Sequence, residues 1–191
     1  LSLTGKLSET FRKHMKELFE FGKMKSSYEI GKPVPQTTKE INERIKEEAV
    51  FLATYNQNKL LEELKNISAV CIMENVDPEE SMKRITGKFD TFLNSNVPAS
   101  ASLVTSGELN NDRKFTFEKY KNDLYGYQWS AILDYRTCNY CQSMDGSVIG
   151  VNDKAFNEFR PGEVHFNCRC IWVGITKEEV EPPPFTGVPV G

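Results

Sequence analysis

Four of the chain's five cysteines, Cys138, Cys141, Cys168 and Cys170, fall within 33 consecutive positions, and His165 stands among them. Local crowding of this kind constrains a fold more than any helical or strand pattern, because the soft donors must be bound, paired or kept apart. Cys138-Asn139-Tyr140-Cys141 has the two-residue link that lets both sulfurs point at one ion. His165-Phe166-Asn167-Cys168-Arg169-Cys170 supplies the second half. If Cys168 and Cys170 enter a strand, alternation turns both side chains to one face. Zinc takes four tetrahedral ligands, so five candidates compete for four places. The preferred set is Cys138, Cys141, Cys168 and Cys170, with His165 as the substitute ligand.

Two disulfides would satisfy the same four cysteines, but a reducing compartment opposes them. A redox Cys-x-x-Cys ordinarily opens a helix after a strand, whereas this pair is read as preceding the Asp145-Gly146 turn. A catalytic zinc keeps one position open for water and a base beside it. Here every nearby donor is usable, and Asp134 and Asp145 read as a strand-end residue and a turn residue, so the zinc is structural. The stretch after Gly126 is too short to fold on burial alone, and a cross-link answers that shortage. His14 reads as an ordinary helix histidine and Cys71 as a small buried hydrophobe.

Hydrophobic residues make up 39% of the 191 and charged residues 27%, the balance of a globular protein. No run approaches the roughly 18 apolar residues that span a bilayer, and no secretory signal pattern is visible, so cytoplasmic synthesis and no membrane partner are expected. A net charge of −3 opposes a surface given over to nucleic acid, although Arg12, Lys13 and Lys16 form a local basic strip. A chain opening on Leu1 reads as processed or as a piece of a longer polypeptide.

The patterning predicts an α+β fold: a predominantly helical N-terminal two thirds, then a small antiparallel β module stapled by the Cys/His cluster. Leu7, Phe11, Met15, Leu18 and Phe21 recur at helical spacing, and Gly22, Gly31, Pro33 and Pro35 end that segment. Thr37 and Glu40 have the form of a capping box before an apolar stripe from Ile41 to Ile67. Asp77-Pro78-Glu79-Glu80 starts a third helix carried by Met82, Ile85, Phe89 and Phe92. Residues 95–107 read as a loop and the main boundary, followed by a helix over 108–124 with Gly126 as its stop. Strands are expected over 127–133, just after Asp145-Gly146, and over 170–175. The resulting division is 1–107 for docking and assembly, 108–177 for the cysteine module, and 178–191 for an extended or disordered Pro-rich tail.

Asp134-Tyr135-Arg136-Thr137-Cys138-Asn139-Tyr140-Cys141-Gln142-Ser143-Met144-Asp145-Gly146, followed by His165-Phe166-Asn167-Cys168-Arg169-Cys170, resembles the phage Mu F-like family of head morphogenesis proteins. The resemblance covers about residues 108–172. It implies a minor head (minor capsid) protein of a tailed phage or prophage, portal-associated and involved in head morphogenesis, DNA packaging and ejection. It further implies location in the virion, in the capsid interior near the portal. Portal, major capsid and scaffolding proteins would then be its partners, with packaged DNA as a further one and no small-molecule substrate.

Two alternatives stand beside this non-enzymatic reading. A zinc-stabilised nucleic-acid binder would use Arg136, Arg169 and Lys154 around the cluster, with Tyr127, Trp129 and Tyr140 stacking on bases. Against it, residues 132–191 hold five Lys/Arg and eight Asp/Glu. A toxin-like enzyme domain is the other, but no catalytic constellation accompanies it.

Overall fold

A computed structural model describes residues 3–165, 168–178 and 183–188. Phe166, Asn167 and Pro182, which belong to the motifs read above, lie outside the described residues. The order is α1 (Leu3–Glu29), α2 (Lys39–Met73), α3 (Pro78–Thr91), α4 (Val97–Lys119), β1 (Leu124–Ser130), α5 (Asn139–Met144), β2 (Val148–Gly150), α6 (Ala155–Glu158) and β3 (Ile171–Thr176). Helices followed by a small antiparallel sheet is the fold class expected from the sequence. Among the described residues no helix is long and apolar enough to cross a membrane.

The contacts divide the chain into two units. The first comprises residues up to Lys16 together with Thr38–Ser102. Within it α2 begins at N-cap Thr38, whose hydroxyl accepts the Ile41 N–H at 3.4 Å. The expected capping box on Thr37 and Glu40 is therefore displaced by one residue. With Ile41 at the third helical position, no carboxylate stands where the reciprocal bond is made. Asp77 caps α3 as its sequence predicts, accepting the N–H groups of Glu79 and Glu80 at 3.0 Å each. Cys71 is buried, as expected of a small hydrophobe, but Met82 is 64% exposed and Phe89 39%.

The loop expected over residues 95–107 is helical. A π-turn over Phe92–Asn96 leads without a break into α4. Pro98 is the second residue of α4, directly after the π-turn, the kind of irregularity with which a continuous helix accommodates a missing N–H. Ser100 donates from Oγ to Asn56 Oδ1 at 3.2 Å, so a tertiary contact engages a residue of loop-like type. Composition was the wrong guide because small polar residues are neutral enough to follow their packing.

The second unit comprises Glu17–Thr37 and the residues from Leu103 onward. α1 runs through Gly22 to Glu29, so that glycine ends nothing. The Asp112 carboxyl group occupies the place a Cβ at Gly22 would need, within 2.1 Å of it. The close approach, rather than chain flexibility, is what the position requires. Glu29 then ties this helix to the sheet by accepting the Gly174 N–H at 2.8 Å and pairing with Arg113.

β1 lies between β2 and β3, antiparallel to both. α4 stops at Lys119, a short 3-10 turn covers Lys121–Asp123, and β1 begins at Leu124, three residues earlier than the periodicity indicates. Gly126 is thus a sheet residue and not a helix stop. A Cβ there would stand 2.3 Å from the Ile149 carbonyl oxygen. Tyr127 and Trp129 are buried with Phe117, Phe156 and Trp172 in one core. The Trp129 and Trp172 rings meet edge to face with centroids 5.1 Å apart. Of the expected tail, residues 183–188 have no regular secondary structure and are anchored: Thr186 accepts the Val148 N–H at 2.7 Å, and Phe185 stacks on Tyr125.

Candidate metal centre

The cluster is assembled where the loop after β1 meets the entry to β3. Asp134 organises the loop by accepting the Arg136 N–H at 2.9 Å, while the Asp134 N–H is accepted by Thr137 Oγ1 at 3.0 Å. Arg169 closes on the same carboxylate with two N–H bonds, 2.8 Å to Oδ2 and 2.6 Å to Oδ1. That bidentate pair holds Asp134 well below the usual carboxylate range, with the Arg136 N–H contributing. Asp134 is therefore a clamp between the two halves of the motif. The strand-end reading missed this, although an acid in one half and an arginine in the other was a usable signal. Asp145 is the turn residue expected, its Oδ1 accepting the Ala131 N–H at 2.8 Å.

Cys138 is the N-cap of α5, its sulfur accepting the Cys141 N–H at 3.4 Å. This bond, ahead of the neighbouring histidine, draws the Cys138 thiol downward. The Cys-x-x-Cys pair thus opens a helix after all, and the sequence argument that set a redox pair aside on that ground does not hold. Cys168 and Cys170 precede β3 rather than enter it, so strand alternation does not aim them. Cys168 Sγ instead accepts the N–H of Gly162, whose φ of +85° suits glycine.

Cys141, Cys168 and Cys170 are buried, Cys138 is exposed and His165 half-buried. All five cysteines are free thiols. The donors form two triads that share Cys141: Cys138, Cys141 and His165, and Cys141, Cys168 and Cys170. Within each triad the donor atoms lie within 4.8 Å of one another. His165 Nε2 is 3.2 Å from Cys138 Sγ and 2.9 Å from Cys141 Sγ, and the Cys141 and Cys168 sulfurs are 3.8 Å apart. Sulfurs bound to one tetrahedral zinc at about 2.3 Å stand roughly 3.8 Å apart, so that separation fits. A cavity of about 10 Å³, no larger than one small particle, is lined by Cys138, Cys141, His165 and Cys170.

Burial pushes the Cys141 thiol up to about 12, whereas hydrogen bonding from Cys170 brings Cys168 down to about 5. A soft cation bound among these sulfurs would replace their protons. The donor set could hold a soft metal ion.

Of the three aromatic residues proposed for base stacking, Tyr140 is half-buried and the other two are not available for it. Tyr127 and Trp129 are 1% and 0% exposed, and Arg169 is committed to Asp134. Tyr135, which the sequence reading passed over, is the exposed ring of this loop at 94%.

Residues 100–173 match the family model described as Phage Mu protein F like protein. No curated protein and no solved structure gives a match to the chain. The matched span starts near the beginning of α4 and ends inside β3, enclosing both halves of the cysteine cluster and the Asp134–Arg169 clamp. Over these residues the chain is similar to phage Mu F-like proteins.

Proposed function

We propose that this chain is a non-enzymatic minor head protein of a tailed phage or prophage, in which the cysteine cluster holds one structural zinc ion. The convergence of five thiol and imidazole donors inside the Mu F-like span carries the reading. His165 stands close to two of the sulfurs, which favours a set containing Cys138, Cys141 and His165, completed by a sulfur from the Cys168/Cys170 pair. When bound, the ion supplies cross-linking and no reactive chemistry. The residues themselves cap α5, clamp the loop through Asp134 and bury three of the thiols.

Docking on the portal and on capsid or scaffolding proteins, inside the head near the portal, is the finer part of the proposal. Its support is the set of large apolar side chains that the helical unit leaves uncovered, among them Phe51 at 68%, Ile72 at 79%, Met73 at 77% and Met82 at 64%. Roles in packaging and ejection, and contact with packaged DNA, follow only from that placement. Mass spectrometry of purified particles from the phage or prophage that encodes the chain, with and without its gene, tests the assignment. The protein is expected in low copy in wild-type particles, with infectious heads lost on deletion. Absence from particles, with head yield unchanged, would overturn it.

A further inference from the structure

A second concavity in the C-terminal unit lies against α4, α6 and the start of β3, and it holds no member of the cysteine cluster. Its volume is about 140 Å³. That is near the roughly 150 Å³ that accommodates a benzene-sized guest, so the cleft takes one side chain rather than a drug-sized ligand. Phe156, Pro161 and Trp172 give it an apolar lining.

Its polar lining is unusual in two respects. Asn110 Oδ1 is buried and accepts no hydrogen bond from the described residues. The same amide donates from Nδ2 to the carbonyls of Ser106 at 2.9 Å and Cys170 at 3.2 Å, which fixes its orientation and leaves the acceptor for an incoming donor. Lys114 and Arg160 also line the cleft, and their ion pairs are weak. Lys114 stands 3.9 Å from Glu118, and Arg160 is 3.4 Å from Glu163, with both acids substantially exposed.

The walls are preformed. Trp172 Nε1 donates to the Phe159 carbonyl at 3.1 Å, and Arg113 Nε donates to the Trp172 carbonyl at 2.7 Å. Gly162 is held by Cys168 Sγ, and a Cβ there would stand 2.9 Å from Asn110 Nδ2, so this wall is fixed against α4 as well as against the cluster.

We infer that this cleft captures the C-terminal residue of a partner polypeptide. The terminal carboxylate pairs with Lys114 and Arg160, the last backbone N–H donates to Asn110 Oδ1, and the last side chain rests on Phe156, Pro161 and Trp172. A chain end places a carboxylate, an N–H donor and an apolar stem within one residue's volume. An internal acidic residue would have to thread the chain in and out of a space of about 140 Å³. A nucleic-acid phosphate brings no donor for Asn110 and meets Glu163 at the rim of an acidic segment.

The full chain, purified under reducing conditions, is titrated with N-acetyl-Gly-Leu, with its C-terminal amide, and with a 5′-phosphorylated thymidine dinucleotide. The readouts are the Trp172 indole and Asn110 side-chain amide resonances. Saturable shifts are expected with the free acid, and about tenfold weaker binding with the amide. Arg160→Ala and Lys114→Ala, both at solvent-accessible side chains, should weaken the free acid about tenfold each, while Glu163→Gln should tighten it severalfold by removing a competing carboxylate. Equal binding of acid and amide overturns the proposal, as does indifference to Glu163→Gln and Arg160→Ala. Preference for the dinucleotide, or no shift up to about 10 mM of the free acid, overturns it too.

Discussion

Asp112 has no exposed surface, and among the described residues no well-formed hydrogen bond reaches its carboxyl oxygens. Burial pushes its pKa up to about 9, with Glu108 adding to the rise and Arg113 and Lys23 opposing it. The folded chain therefore keeps a proton that the unfolded chain releases near the ordinary value of 3.8. Between those limits the folded state binds more protons than the unfolded one, so stability falls as pH rises, by at most about 1.4 kcal/mol per unit. The contribution is fully present below pH 3.8 and gone above about 9. Asp112→Asn is expected to flatten that slope and to melt higher than the wild type at pH 8. Melting curves from pH 5 to 9 check it, and parallel slopes for the two proteins would remove Asp112 as the cause. Gly22→Ala forces a methyl group against the same carboxyl and should cost roughly 1–3 kcal/mol in a denaturant titration.

At the scale of elements, what could be read in advance divides along a physical line. Asp77-Pro78 announced α3 because capping and proline placement act through a few adjacent atoms, and β2 followed Asp145-Gly146 for the same reason. The gathering of the four cysteines and His165 in one place was legible because soft donors so close in sequence restrict any fold that holds them. Residues 95–107 were not legible, since nothing local distinguishes Ser, Ala and Asn in a loop from the same residues in a packed helix. Gly126 was misread for a related reason: its constraint is the Ile149 carbonyl, distant in sequence and brought near only by strand pairing. The Asp134–Arg169 clamp spans 35 positions and is likewise a tertiary fact. Two predictions belong here. Gly126→Ala should part β1 from β2 and cost roughly 1–3 kcal/mol, seen as faster amide exchange at Tyr127 and Ile149, with β1–β3 amides less affected. If the cluster holds zinc, Asp134→Asn should leave the chain folded but release the ion about 10–100 times more readily to a chelator, because Asp134 orients the ligand-bearing loop and belongs to neither donor triad.

The whole molecule carries a convenient asymmetry: both of its tryptophans, Trp129 and Trp172, lie in the second unit, on β1 and β3. Indole signals therefore report only on the unit that contains the cysteine cluster. Far-UV circular dichroism, by contrast, is dominated by the long helices, and α2 and α3 belong wholly to the first unit. If zinc is the staple of the second unit, chelation should red-shift the tryptophan emission and abolish the near-UV signal while most of the 222 nm ellipticity persists. Cys141→Ser should reproduce that state without chelator, since Cys141 is the donor shared by both triads. Cys71→Ser, at a thiol outside the cluster, should keep the metal and the tryptophan environment. Loss of both signals together on chelation would mean that the first unit needs the second in order to fold. Persistence of both would mean that the aromatic core of the sheet suffices without a metal, and that the thiols are neighbours rather than ligands.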